Sequence, residues 1–306
     1  MTESSSGSQP RRATGDDVAD GDADERTISW RELLAETESL LGDRRHARWI
    51  CERATDRTPD EFRTILDDPA TERAVHHLDA MVARARNGEP IQYVLGAWPF
   101  RHVDLVVDRR VLIPRPETEH VAEVAIDFAA AVDAPRIVVD LGTGSGAIGL
   151  AVADELPLVG TTVWLTDADA EALDVARANL AGLGRAAINV RVAEGSWYDA
   201  LPEGLRADVI VSNPPYVANG SPDLDESVRS WEPSQALFAG DDGLEDLRTI
   251  IAGAPAHLSH GGWLVVEHGH DQGAATRDLL AAAGLDDVET GQDPAGLDRW
   301  SVGRRA

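Results

Sequence analysis

The chain has 306 residues, 43% of them hydrophobic, and a formal net charge of −26 with no lysine. That length carries two domains and a full hydrophobic core, and no stretch approaches the roughly 18 consecutive apolar residues of a membrane span. The acidity counts against a nucleic-acid partner, because gripping phosphates calls for a basic patch or stripe and no such run exists.

Residues 1–27 are small, polar and acidic, with almost nothing to bury, and read as a disordered solubilising extension. They lack the apolar region of a secretory signal. The one cysteine, Cys51, cannot form an internal disulfide and suits a reducing, cytoplasmic setting. Beside Trp49 and Ile50 it reads as a small core residue. From Ser29 to about Asn87, apolar residues recur at three- and four-residue steps, among them Leu33, Leu34, Trp49, Ile50, Phe62, Leu78 and Met81. Ser29 and Thr58-Pro59 mark helix starts. The spacing predicts a small helical domain over residues 28–88, either a substrate-docking module or a cap.

Gly88-Glu89-Pro90 breaks that pattern. From Ile91 to Ile113 aromatic and β-branched residues dominate and predict strands, a hairpin within a linker over residues 89–118. Pro114-Arg115-Pro116-Glu117 opens a helix running to about Val132, in a domain over residues 119–306. From Arg136 onward strands and helices alternate. Strands are predicted at Ile137–Leu141, Val163–Thr166, Asn189–Ala193, Asp208–Val211 and Trp263–Glu267. Helices are predicted at Ala147–Asp154, Ala170–Leu180, Gly243–Ala256 and Gly273–Ala283. Such alternation implies an α/β fold with a parallel sheet covered on both faces.

The first of these strands runs through Asp140 into Gly142-Thr143-Gly144-Ser145-Gly146. Glycines at a strand-to-helix turn let the backbone approach a ligand closely. The spacing is Gly-x-Gly-x-Gly, not the Gly-x-Gly-x-x-Gly of a dinucleotide site, and suits a compact nucleoside. Asp140 could engage a ligand amine through water. Asp167, at the end of the next strand, could accept both ribose hydroxyls of an adenosine, with Asp169 left to cap the following helix. Trp197 either packs on an adenine or belongs to the core.

The strand Asp208–Ser212 ends in Asn213-Pro214-Pro215-Tyr216. Two prolines remove two backbone donors and fix φ twice, which makes a rigid turn. The Asn213 carboxamide and the Pro214 carbonyl form a pair of acceptors for the two N–H donors of a flat –NH2 group. Tyr216 offers an aromatic face to a planar substrate. The close histidine pairs, His76-His77 and His268/His270, lack a partner set for a metal and read as solvated or locally bonded.

Three segments together resemble the HemK/PrmC family of protein-(glutamine-N5) methyltransferases: Pro114–Glu119, Asp140–Gly146 and Ser212–Val217. Supporting matches are Gly88–Tyr93, Glu232-Pro233, Ala239–Gly243 and Gly262–Leu264. Asn-Pro-Pro-Tyr alone is shared with adenine-N6 DNA methyltransferases; the proline-rich segment and the Gln92-Tyr93 segment narrow the match. The resemblance implies a Rossmann-like, seven-stranded class I methyltransferase domain behind a small helical domain. It implies S-adenosyl-L-methionine as cofactor, held by Gly142, Thr143, Gly144, Ser145, Gly146, Asp167, Trp197 and the edge of Asn213. The substrate glutamine would be held by Asn213, Pro214, Pro215 and Tyr216, in a Gly-Gly-Gln loop of a peptide chain release factor. Asn213, Pro214 and Tyr216 would carry the chemistry, by direct in-line displacement without a covalent enzyme intermediate. A ribosomal-protein glutamine and a nucleic-acid adenine are the competing substrates.

Overall fold

The computed structural model describes residues 27–222 and 224–306. The expected disordered extension over residues 1–27 lies outside these residues, apart from Thr27.

The chain begins with four helices: α1 Trp30–Leu41, α2 Arg44–Thr55, α3 Pro59–Thr64 and α4 Glu72–Arg86. Their starts follow local chemistry. Ser29 accepts from Glu32 N while the Glu32 side chain reaches back to the Ser29 backbone. Thr58 and Glu61 repeat this reciprocal cap, with Pro59 inside the first turn. The apolar stripes close into one core of Trp30, Leu33, Ile50, Cys51, Phe62, Leu78, Met81 and Val82, where Trp30 meets Phe62 edge-to-face at 5.9 Å.

The stretch from Ile91 departs from expectation. Ile91–Leu95 is a short helix, α5, not a strand. Pro90 fixes the entering φ, Gly96 ends the turn at φ 68°, and Ile91 and Val94 bury one face in the helical core. Tertiary burial overrides the strand preference of β-branched residues. The hairpin follows, with β1 Ala97–Phe100 paired antiparallel to β2 Val103–Val106.

The helix α6 Thr118–Ala130 then leads into alternating elements: β3 Arg136–Leu141, α7 Ala147–Glu155, β4 Thr161–Asp167, α8 Ala170–Gly182, β5 Val190–Glu194, β6 Ala207–Ser212, α9 Glu226–Trp231, α10 Glu245–His257, β7 Leu258–Glu267, α11 Gly273–Ala282, β8 Asp286–Gln292 and β9 Asp298–Arg304. They build a seven-stranded sheet in the order β5-β4-β3-β6-β7-β9-β8. The first five strands in that order run parallel, and β9 pairs antiparallel with β7 and β8. Side chains alternate between the faces. Val138, Val163, Val209 and Val211 join α6, α7 and α8 in one core, whereas Val139, Leu141, Ile210 and Leu264 join α10 and α11 in the other. The sheet is therefore buried on both faces, as its near-continuous apolar strands require. No helix among the described residues is long and apolar enough to cross a membrane.

The strand order reverses between β3 and β6. Open parallel sheets bind ligands at such a reversal, outside the carboxyl ends of the strands.

Candidate active site

A cavity of about 560 Å³ opens at this reversal. Its floor comes from the loops after β3, β4, β5 and β6, which bring Gly142–Ser145, Asp167, Trp197 and Asn213 to one wall. The segment Arg110–Leu112 with Pro114 and Thr118 forms a second wall. Pro233, Gln235 and Ala236 form a roof.

The loop after β3 needs its glycines for space as well as for turning. Gly142 has φ 69°, and a Cβ there would stand 3.1 Å from the Trp197 ring. Gly146 has φ 88° and leads into α7; a Cβ on it would meet Leu150 at 2.8 Å. Asp140 is buried beneath the loop. Its Oδ2 accepts from the Thr143 hydroxyl at 2.6 Å and from Gly149 N at 2.9 Å, while Oδ1 has no hydrogen-bond partner. Burial pushes the Asp140 carboxyl up to about 6.

Asp167 accepts from Gly144 N through Oδ2 and from Asp169 N through Oδ1, both at 2.9 Å, and burial raises its pKa. It ties the glycine loop to the end of β4 and keeps one lone-pair site free on each oxygen. Asp169 is the cap of α8, accepting from Glu171 N. Its other oxygen accepts from Gln235 Nε2 at 2.6 Å, which pins the roof to the floor. Trp197, at φ 47°, lines the cavity with its ring on Gly142 and packs against the α10 side of the core, so the core reading holds.

Asn213 and Pro215 line the cavity. Asn213 Nδ2 donates to Thr118 Oγ1 at 3.2 Å, and the planar amide then directs Oδ1 away from Thr118. Pro214, Tyr216 and Gly146 are not among the lining residues. Pro214 is buried, and the half-buried Tyr216 donates its hydroxyl to Glu267 Oε1 at 3.3 Å.

Two family models match this chain, the PrmC N-terminal domain over residues 29–96 and the methyltransferase small domain over residues 127–228. A release factor glutamine methyltransferase of Xylella fastidiosa is 47% identical over 241 residues, covering 78% of this chain and 84% of the relative. The chain belongs to the release factor glutamine methyltransferase family. A Burkholderia pseudomallei member is 46% identical over 244 residues, covering 79% of this chain and 85% of its own. Among solved structures, the hMettl16 catalytic domain in complex with MAT2A 3'UTR hairpin 1 is similar with a TM-score of 0.50 over 76% of this chain and 80% of that one. At 18% identity that likeness is one of fold.

In this glutamine methyltransferase family chain, several site residues escape a reading of local sequence. Glu232 is buried and accepts from Ile113 N at 3.1 Å and from the Arg115 guanidinium at 2.6 Å, clasping the second wall to the roof. Gln235 reaches Asp169 across 66 residues, a pairing with no local signal. Glu267 is buried at the end of β7, with Oε2 unpartnered; burial pushes it up to about 7. Glu232 and Thr118 do lie in segments that carry the family resemblance, which is the signal that could have found them. His268 is buried, with Nε2 2.8 Å from Ser301 Oγ. Among the described residues no group of three or more His, Cys, Asp or Glu side chains suits a metal ion.

Proposed function

We propose that this chain transfers a methyl group from S-adenosylmethionine to the side-chain N5 of a glutamine in the Gly-Gly-Gln loop of peptide chain release factors. The observation that carries this reading is the Asn213 carboxamide, tied by its nitrogen to Thr118 and so turned to receive an N–H. A glutamine amide offers two such donors, and Asn213 Oδ1 with the Pro214 carbonyl would take both.

The cavity fits the cofactor by its own chemistry. The buried, unpartnered Oδ1 of Asp140 suits a cationic amine. Gly142 lets the Trp197 ring pack directly on the loop, and both line the cavity where an adenine would lie. Asp167 has free lone pairs for ribose hydroxyls, and Thr143 and Ser145 line the same loop. When bound, S-adenosylmethionine supplies an electrophilic methyl on a sulfonium.

The residues of the chain do the rest. An amide nitrogen is a poor nucleophile, because its lone pair is shared with the carbonyl. Fixed acceptors on its N–H groups push electron density back onto nitrogen and hold it in line with the methyl. No side chain need remove the proton first, since the nitrogen becomes acidic once methylated. Pro215 and the roof residues Pro233 and Ala236 keep water from this end of the cavity. Tyr216 stands behind the turn and stiffens it through Glu267. A release factor substrate places the activity in the cytoplasm and calls for no membrane and no direct nucleic-acid contact.

The test is incubation with methyl-labelled S-adenosylmethionine and either a release factor or duplex DNA, followed by mass spectrometry of the Gly-Gly-Gln peptide. A gain of one methyl on the glutamine is expected. Label in DNA alone would overturn the reading, and label in a ribosomal protein alone would move the substrate.

A further inference from the structure

The diproline turn poses a problem of anchorage. Pro214 and Pro215 have no backbone N–H, so the middle of the turn cannot donate to its surroundings. Its backbone can be held there only by groups that donate to its carbonyls. The chain supplies such a group at the exit of the turn, on the Tyr216 carbonyl.

The donor is Gln272, half-buried at the start of α11. Its Nε2 donates to Tyr216 O at 3.0 Å and to Gly243 O at 3.2 Å, and its Oε1 accepts from Gly269 N at 2.9 Å. Three segments meet on this one carboxamide: the turn after β6, the lead into α10 and the loop after β7. Two carbonyls and one N–H fix which end of the amide faces which, so both of its protons are spent on carbonyls. The approach is tight. Gly243 has φ 71°, and a Cβ there would stand 2.4 Å from Tyr216 O and 2.9 Å from Gln272 Nε2.

The chain leaving the turn is also laced to the chain leaving the roof. Val217 N donates to Leu237 O at 2.9 Å, Ala239 N to Val217 O at 3.0 Å and Asn219 N to Gly240 O at 2.8 Å. Leu237 directly follows the roof turn Ser234–Ala236. The roof is itself pinned, by Glu232 to the linker and by Gln235 to Asp169. The turn is therefore tied to a fixed body, and Gln272 closes the joint.

We propose that Gln272 is a positioning residue that staples the exit of the Asn-Pro-Pro-Tyr turn to Gly243 and Gly269, and so holds the Pro214 carbonyl in place beside Asn213 for the substrate amide. Gln272 does not line the cavity and acts through Tyr216. The proposal deepens the glutamine-methylating reading and rests on it for the identity of the substrate. The glycine loop, Asp140 and Asp167 keep their own hydrogen bonds and are outside the joint.

The test uses two variants of the full chain. Gln272→Met keeps the volume and removes both donors, and Gly243→Ala pushes on the same joint from the other side. The first readout is hydrogen–deuterium exchange by mass spectrometry, with no substrate present. Peptides covering residues 217–219 and 237–243 are expected to exchange about tenfold faster in both variants, the worth of a lost hydrogen bond. Peptides from α1, α4, β3 and β4 should exchange as in the wild type. The second readout is methylation of a release factor, with S-adenosylmethionine binding measured by calorimetry on the same sample. In Gln272→Met, kcat is expected to fall about tenfold, as for a misplaced reacting group. Its affinity and stoichiometry for S-adenosylmethionine should stay unchanged, which sets the loss apart from unfolding. Exchange unchanged in both variants overturns the staple, whatever the activity. Faster exchange with wild-type kcat overturns the positioning role, and so does a kcat that falls only in step with cofactor stoichiometry. Faster exchange in variants of a protein that itself methylates no release factor supports the staple and overturns the substrate instead.

Discussion

Asn213 and Asp140 show how much one side chain can decide. Asn213→Ala leaves the glycine loop, Asp140 and Asp167 in place. Cofactor affinity by calorimetry should stay near wild type, while turnover falls about a hundredfold, the scale of a lost orienting contact. Asp140 makes a pH prediction with a definite sign. Burial raises its carboxyl from 3.8 to about 6. Its contribution to the stability of the free protein is therefore fully present below about 4 and is lost as pH rises through about 6. A cationic ligand favours the charged carboxylate, so affinity for S-adenosylmethionine should rise with pH through 6, by at most about tenfold per unit. Calorimetric titration from pH 5 to 7 checks this, and Asp140→Asn should flatten the slope. Of these two residues, Asn213 was legible from its place in a rigid diproline turn. The bare oxygen of Asp140 was not, because which lone pairs stay free depends on Thr143 and Gly149 together.

At the scale of elements, the clasp of Glu232 on Ile113 and Arg115 holds the roof to the linker. Glu232→Ala takes the partner from the half-buried Arg115 guanidinium and leaves Ile113 N unpaired, so it should cost about 2 kcal/mol. Thermal denaturation would show the fall, and a faster cofactor off-rate in stopped flow would show the roof loosened. The element pattern also explains what sequence reasoning could reach. Strands β3, β4 and β6 announce themselves as apolar runs, because both faces of the sheet are buried. The α5 helix did not, because Ile91, Tyr93 and Val94 have strand-like side chains and only burial against α2 and α4 makes them helical. The roof was silent for another reason. Ser234–Ala236 is a single short turn, held by a bond from Gln235 to a residue far away in sequence.

Across the whole molecule, the apolar residues sort into separate cores. The helical part closes on its own, and the two faces of the large sheet make the others. We place the boundary at α5, where Val94 faces the helical core and Tyr93 the sheet's core. Phe62→Ala should then cost about 3–5 kcal/mol in the helical part alone. Differential scanning calorimetry is expected to show one transition moved down and the other left in place; equal movement of both would join the two parts into one cooperative unit.

Cys51 lies in that helical core and is fully buried, and burial pushes its thiol up to about 12. It is the chain's single cysteine. At neutral pH it stays protonated and out of reach, so a maleimide finds nothing to attack in the folded chain. The protein is in this sense pre-adapted for site-directed labelling. A Ser234→Cys change on the exposed roof turn would put one dye above the cavity with no background, and its fluorescence would follow the roof as ligands come and go.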